Sequence, residues 1–380
     1  MRLSRSAGIV LMLLALAVTP GTTRATQRYE PLKQFSHVMD LIEKTYVKDV
    51  QRNELVKGAI QGMLQSLDPH SAYLDKEAFQ DMQIETSGEF TGVGIEITLQ
   101  NGRLTVVSPI EDTPAFRAGL KSGDIILEID GESTQDISIM DAVHKIRGPK
   151  GSEVELTVLH EGAAKPERIT VKRDVIPMQS VKTEVMEPGY EYLRITNFNE
   201  NTTKELRQQL RQAQRSEAGL KGVVLDLRNN PGGLLDQAVS VADLFLSQGK
   251  IVYTKGKVQQ AKMDFQAEDE SFDVQVPMVV LINSGTASAS EIVAGAIQDH
   301  QRGLIVGIRS FGKGSVQTVI PLPDGSGIKL TTARYYTPKG RSIQAEGIVP
   351  DIILPFNPID DDDQSTQLLS TIREKDLAGH

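Results

Sequence analysis

A chain of 380 residues is longer than one average domain and leads us to expect two or three. Hydrophobic residues at 39% and charged residues at 24% are those of a folded globular protein, and a formal charge of -9 without any long run of Lys and Arg argues against a nucleic-acid or anionic-lipid surface. There is no cysteine, which excludes disulfides, thiolate catalysis and a lipid-modified cysteine, so the chemistry has to use oxygen, nitrogen or a metal.

In chain order, Arg2 and Arg5 precede an apolar run from Ala7 to Val18, then Pro20-Gly21 and the small-residue pattern Thr23-Arg24-Ala25. This is the order of a secretory signal peptide, expected over residues 1–25, and it points to an exported, periplasmic protein. The apolar run is shorter than the roughly 20 residues that span a bilayer as a helix, so a chain tethered by an uncleaved signal is the alternative. Over residues 26–85 the apolar positions Phe35, Val38, Met39, Leu41, Ile42, then Leu55, Ala59, Ile60, Met63 and Leu64 recur every three or four residues and predict amphipathic helices. Packing against the core or a second subunit is their expected role.

From Gly88 the period changes to two: Val93, Ile95, Ile97, then Leu104 and Val106 across the turn signal Asn101-Gly102. A β-rich domain is expected over residues 86–176. Beyond Pro177 the apolar strands Val223 to Leu227 and Met278 to Ile282 each run through a glycine-containing turn into a helix, which predicts a mostly parallel α/β core over residues 177–355. The acidic run Asp360 to Asp363 then marks a solvated tail over residues 356–380, with a short terminal helix at Leu368 to Glu374.

Within the β-rich domain, Gly92-Val93-Gly94-Ile95 places two glycines just before a strand and leaves successive backbone N–H groups unobstructed, a nest for a carboxylate. Taken alone, the loop reads first as a tight turn. Its neighbours are Ser108-Pro109, Pro114-Ala115, Ala118-Gly119-Leu120, Gly123-Asp124-Ile125-Ile126 and Asp130-Gly131. With them, residues 88 to 175 resemble the PDZ family. That resemblance implies that Gly92, Val93, Gly94 and Ile95 bind the C-terminus of a protein substrate whose last side chain is apolar.

In the α/β core, Thr286-Ala287-Ser288-Ala289-Ser290-Glu291 opens a helix and sets Ser288 at its positive end. Ser288 and Glu291 also fit an ordinary capping box. The N–H of Ala289 has a place from which to meet a developing oxyanion. His300 is twelve residues further along the same helix, about 18 Å away at 1.5 Å per residue, and no other histidine belongs to the core, which speaks against a Ser-His-Asp triad. Asp299 falls to the same distance argument and reads as structural. The histidines show no paired ligand spacing, so no metal is expected.

Phe311-Gly312-Lys313-Gly314-Ser315-Val316-Gln317 holds one lysine between glycines. As an exposed turn residue it is charged. To act as a base it must be neutral, and an ordinary value near 10.4 leaves only about a thousandth of it so near neutral pH. Burial has to lower that value by roughly 3, about 4 kcal/mol. Gln317 stands where it can orient the amine. In the third motif, Leu225-Asp226-Leu227-Arg228-Asn229-Asn230-Pro231-Gly232-Gly233, a strand enters another glycine turn, and Gly232 or Gly233 can supply a second oxyanion donor.

In this order and spacing the three motifs resemble the C-terminal processing peptidases, the tail-specific serine proteases. The likeness extends through Gln298-Asp299-His300, Tyr335-Tyr336-Thr337-Pro338 and the stretch Arg341 to Asp351. It implies Ser288 as nucleophile, Lys313 as general base, Gln317 as the residue that positions the lysine, and Ala289 with Gly232 or Gly233 as the oxyanion hole. It further implies a crotonase-like α/β protease core with an inserted β-rich PDZ domain and N-terminal helices, no cofactor, and cell-envelope proteins as substrates. An adaptor lipoprotein and a homo-oligomer built through the N- and C-terminal helices are the expected partners, with no nucleic acid. A catalytically inactive PDZ scaffold and a crotonase-like thioester enzyme are the rival readings. If an occupied PDZ loop shifts the domain relative to the active site, Arg147 is one polar residue suited to bridging the two.

Overall fold

The computed structural model describes residues 23–269, 272, 274–355 and 372–379. The chain separates into two compact units, residues 1–63 and residues 64–380. In the first, the predicted amphipathic segment forms α1 (Thr23–Thr45), and α2 (Arg52–Gln65) begins within the same unit. Arg52 joins the two helices through Asp40 and Glu43, each at 2.6 Å. Leu32, Phe35, Val38 and Leu41 are all exposed while Met39 and Ile42 are half-buried, so part of the apolar stripe read from the sequence stays open in the single chain. No described helix is long and apolar enough to cross a membrane.

The larger unit starts with β1 (Ala72–Leu74) and α3 (Lys76–Ser87). Asp75 caps α3 by accepting from Ala78 N at 3.1 Å, and Gly88 ends it in the left-handed region with its N–H on Ile84 O. The β-rich domain runs through β2 (Glu89–Gly92), β3 (Ile95–Gln100), β4 (Arg103–Pro109), α4 (Pro114–Arg117), β5 (Ile125–Ile129), β6 (Glu132–Ser133), α5 (Ile139–Ile146), β7 (Glu153–Leu159), β8 (Glu167–Lys172) and β9 (Asp174–Pro177). Asn101 and Gly102 both take positive φ, 53° and 74°, which matches the twist that a two-residue hairpin needs. Strands β3, β4, β5, β7 and β8 make an antiparallel sheet with β6 paired to β5, and Leu104, Val106, Ile126, Val154, Leu156 and Val158 fill its core. The entering strand β2 pairs with the leaving strand β9, Glu89 opposite Pro177 and Gly92 opposite Asp174. One ribbon therefore carries the chain in and out, which lets a whole domain interrupt the core without breaking it.

The core is built from β10 (Val181–Glu187), β11 (Tyr190–Ile195), α6 (Thr202–Arg215), β12 (Gly222–Asp226), α7 (Leu235–Asp243), β13 (Gly249–Gly256), β14 (Asp264–Ala267), β15 (Met278–Ile282), α8 (Ala289–Asp299), β16 (Leu304–Gly307), β17 (Ser315–Pro321), β18 (Gly327–Tyr336) and β19 (Ile352–Ile353). Its main sheet has the order β10-β11-β12-β15-β16-β19; every pairing from β11 onward is parallel, as the repeated strand-turn-helix pattern predicts. A second, antiparallel sheet, β1-β18-β13-β14 with β17 on β18, was not foreseen. Helices α7 and α8 both contact β13, and α8 also contacts β16, so α8 lies between the two sheets. This accounts for the burial of α8 on almost every side, from Ala289 through Ile297.

At the C-terminal end, the acidic run Asp360 to Asp363 and residues 368–371 of the expected helix lie outside the described residues. Where the chain is described again it makes one 3-10 turn, Glu374–Asp376, and Glu374 is fully buried. The expectation of a solvated tail fails at this residue, because its carboxylate finds polar partners inside the protein.

Candidate active site

β15 delivers the chain to Ser288 through a five-residue turn, Asn283 to Ala287, two of whose bonds lead to the end of the neighbouring strand β12. Thr286 Oγ1 donates to Leu227 O at 2.8 Å, and Ala287 N donates to Asn230 O at 3.0 Å. Ser288 itself has φ of 58° and ψ of -118°, a left-handed region that a side chain pays about 1–3 kcal/mol to occupy. Such a sharp strand-to-helix turn raises a hydroxyl at the start of a buried helix. Glu291 does accept the Ser288 N–H at 2.8 Å, as a capping residue would, but its carboxylate does more. It also takes Ser310 Oγ at 2.5 Å, Gly312 N at 2.8 Å and Lys313 N at 2.9 Å. One buried carboxylate thus ties the serine turn to the lysine loop. Burial outweighs the pull of these four donors and leaves Glu291 raised to about 7.

The lysine loop is joined to the serine turn a second time by Phe311 N, which donates to Thr286 O at 3.0 Å. Burial lowers the Lys313 amine below the usual lysine range, with Lys329 acting in the same sense and Glu374, Glu291 and Asp68 opposing it. The direction is the one that a lysine base requires. Tyr335 lies between serine and lysine: its hydroxyl is 2.9 Å from Ser288 Oγ and 2.7 Å from Lys313 O. The phenol has one proton, and a carbonyl can only accept it, which leaves the Ser288 hydroxyl to donate in the other bond. Burial raises the Tyr335 phenol, so it stays protonated. Among the described residues no hydrogen bond joins Ser288 Oγ to Lys313 Nζ. Gln317 gives its amide to Ser315 Oγ at 2.9 Å and Thr331 Oγ1 at 3.4 Å, and does not bond the amine.

Gly232 packs directly on Ser288: a Cβ there would lie 2.7 Å from Ser288 Cβ and 2.9 Å from Ala289 N. A Cβ on Gly233 would meet Phe198 O at 2.1 Å, and both glycines hold positive φ, 102° and 143°. Ala289 N, in the first position of α8, has no partner inside the helix, and no described bond claims Gly233 N. Gly232 N donates to Asn230 Oδ1 at 2.9 Å, which makes Gly233 the freer donor of the pair. His300 bonds Lys250 O at 2.7 Å and Asp299 accepts from Lys339 N at 2.8 Å; neither approaches Ser288 through a described bond. A groove of about 1240 Å³ is lined by Tyr190, Val224, Val279, Asp299 and Leu304 and contains neither Ser288 nor Lys313. Size therefore does not locate the chemistry here.

Comparison with known proteins identifies the family. Residues 189–354 match the model of peptidase family S41, residues 91–172 a PDZ domain, and residues 15–78 the N-terminal domain of the activating protease CtpB. A carboxy-terminal-processing protease of Bartonella bacilliformis is 45% identical over 98% of this chain and 86% of its own length. The chain is a carboxy-terminal processing protease of family S41. A carboxyl-terminal-processing protease of Synechocystis is 41% identical over 83% of this chain and 74% of its own. The solved photosystem II D1 C-terminal processing protease is 32% identical, with a TM-score of 0.48, over 86% of this chain and 93% of that one.

In this protease the Gly92 to Ile95 loop lies beside an open strand edge, since among the described residues β3 pairs only with β4. The loop carbonyls are engaged inward: Val93 O accepts from Ala115 N at 2.8 Å, and Gly94 O from Ile110 N at 2.9 Å and Thr113 Oγ1 at 3.1 Å. No described bond uses the Val93 or Gly94 N–H. A nest beside an unpaired edge is what binding a terminal carboxylate with strand addition requires. Arg147 stacks its guanidinium 5.1 Å over the Phe90 ring on β2 and sits 3.8 Å from Asp81 on α3, and His144 lies 3.1 Å from Glu77. Arg147 thus joins the PDZ domain to its entry ribbon and to α3. Sequence reasoning overlooked Tyr335 as a site residue, although it stands in a motif already quoted. It also overlooked the cluster of Asp68, His70 and Glu374 beside the lysine loop. Asp68-Pro69-His70-Ser71 offered a compact polar signal, whereas Glu374 gave none.

Proposed function

We propose that this protease is exported and cleaves peptide bonds with Ser288 as nucleophile and Lys313 as general base. The observation that carries the reading is Glu291, whose carboxylate accepts the backbone N–H of both residues, at 2.8 and 2.9 Å. In the reaction the Ser288 hydroxyl turns from Tyr335 to the neutral Lys313 amine, gives it the proton and attacks the carbonyl carbon. The developing oxyanion meets the N–H of Ala289 and of Gly233 or Gly232. Lys313 returns the proton to the leaving amine, and water, activated by the same amine, releases the acyl group. Gln317 acts from a distance on this reading, through its bonds to Ser315 and Thr331, and not by contact with the amine.

The substrates are proteins with accessible, apolar C-termini, taken by the Gly92 to Ile95 loop and led to the core. The leader-like order of residues 1–25 supports export to the periplasm and envelope proteins as targets, with tethering by an uncleaved leader as the alternative. The open stripe of α1 supports self-association, and an adaptor lipoprotein is a further partner of this reading. The parallel sheet with a nucleophile turn at the head of α8 suits a crotonase-like core. A fluorophosphonate tests the dyad directly: it should modify Ser288 in the parent, located by peptide mass, and fail to do so in Lys313→Ala. Equal modification of the two would remove the lysine from the mechanism.

A further inference from the structure

A second polar cluster borders the lysine loop and has no part in the steps above. Its centre is Glu374, which has no exposed surface. Both of its carboxylate oxygens lie 2.8 Å from His70 Nε2, and Gln344 Nε2 donates to Oε1 at 2.7 Å. A carboxylate can only accept, so His70 carries its proton on Nε2 in this arrangement. The cluster grips the loop on both sides of Lys313. Glu374 N donates to Phe311 O at 3.1 Å, and Gly314 N donates to Gln344 Oε1 at 3.0 Å. The fit is close, since a Cβ on Gly314 would lie 2.3 Å from Gln344 N. His70 is fixed in turn by Asp68, which accepts His70 N and Ser71 N at 2.8 Å, Ser71 Oγ at 2.7 Å and Thr331 Oγ1 at 3.0 Å.

A carboxylate is not buried without a large desolvation cost unless its partners offset it. Here His70, Gln344 and the nearby Lys313 hold Glu374 below the usual carboxylate range, so it is charged near neutral pH. The charges that Lys313 faces are then Lys329 from β18, Glu291 from α8, Asp68 before β1 and Glu374 from the C-terminal segment. Lys329 and Glu291 belong to the elements that build the site. Glu374 arrives from 61 residues further along, the difference between positions 374 and 313.

We propose that Glu374 is a positioning residue for Lys313: the segment around it docks a buried carboxylate on the lysine loop, where His70 and Gln344 lock it, and fixes both the loop and the charge that the amine faces. The inference rests on reading Lys313 as the general base for its functional meaning, but not for its geometry. Neutralising Glu374 removes a negative charge that favours the ammonium form, so the amine should lose its proton at lower pH.

The test reads the amine itself. In the full-length chain carrying Ser288→Ala, which prevents self-cleavage, Lys313 is labelled with trace acetic anhydride across a pH series and quantified by peptide mass. Adding Glu374→Gln should lower the labelling midpoint by about half a pH unit or more, with the far-UV spectrum retained. An unchanged midpoint in a folded variant would overturn the proposal and leave Glu374 a packing residue. Should Glu374→Gln fail to fold, Glu374→Asp decides: it keeps the charge but withdraws it by one methylene, and a smaller downward movement is expected, with no movement counting against the idea. In the enzyme with Ser288 intact, the acid limb of kcat/KM should follow the labelling midpoint. A midpoint that moves while the acid limb stays would support Glu374 and contradict Lys313 as the base, so the two failures are told apart.

Discussion

Gly232 and Glu291 are the residues at which small changes have the clearest meaning. Gly232→Ala would set a methyl 2.7 Å from Ser288 Cβ and 2.9 Å from the Ala289 N–H, at a φ of 102° that only glycine holds without strain. The substitution should lower kcat by about 100-fold, the effect of losing one oxyanion donor, and this is checked by steady-state cleavage of a protein substrate. Glu291→Gln keeps the shape but turns a donor NH2 toward donors. With three backbone N–H groups converging on the carboxylate, it should cost about 2 kcal/mol in denaturant unfolding and uncouple the serine turn from the lysine loop. The sequence offered Glu291 only as the last letter of a capping box, because the other donors, Ser310, Gly312 and Lys313, are 19 to 22 residues away. Ser288 and Lys313 were legible through the small residues that surround each, since close backbone approach needs them in any fold.

At the level of elements, β3 with its preceding loop forms the open edge on which the proposed substrate binding rests, and the β2–β9 ribbon joins that domain to the core. Gly94→Val would force a side chain to 2.4 Å from Thr113 Cβ at a φ of 81°, distorting the nest without touching the core. Cleavage of a substrate with an apolar C-terminus should fall at least about 10-fold while the fluorophosphonate still reaches Ser288. Undiminished cleavage would show that the loop does not select substrates. Alternation in β3 and β4 and the Asn101-Gly102 turn were readable because a hairpin is local. The antiparallel sheet that covers α7 and α8 was not, because its strands come from residues 72–74, 249–256, 264–267, 315–321 and 327–336. Nor was the His70–Glu374 pair, whose members are 304 residues apart. Neither partner has a local pattern that names the other.

For the molecule as a whole, the central trade is a half-buried lysine whose ordinary state is charged. Its folded value is lowered, so the stability linked to it is present only above the unfolded lysine value near 10.4 and is lost as pH falls. Near neutral pH the fold therefore bears a cost at this position. Lys313→Met should abolish cleavage yet raise unfolding stability by about 1 kcal/mol, read from denaturant midpoints, and that stability gain should shrink at strongly alkaline pH. Activity should rise with pH through the lowered lysine value, since only the neutral amine accepts the serine proton. The measurement that tests the account most directly is cleavage of a loosely folded protein ending in apolar residues by the parent chain, Ser288→Ala and Lys313→Ala, with products identified by mass spectrometry. The account predicts defined cuts by the parent and none by either variant, both still folded. Persistent cuts in a folded variant of either residue would contradict the dyad.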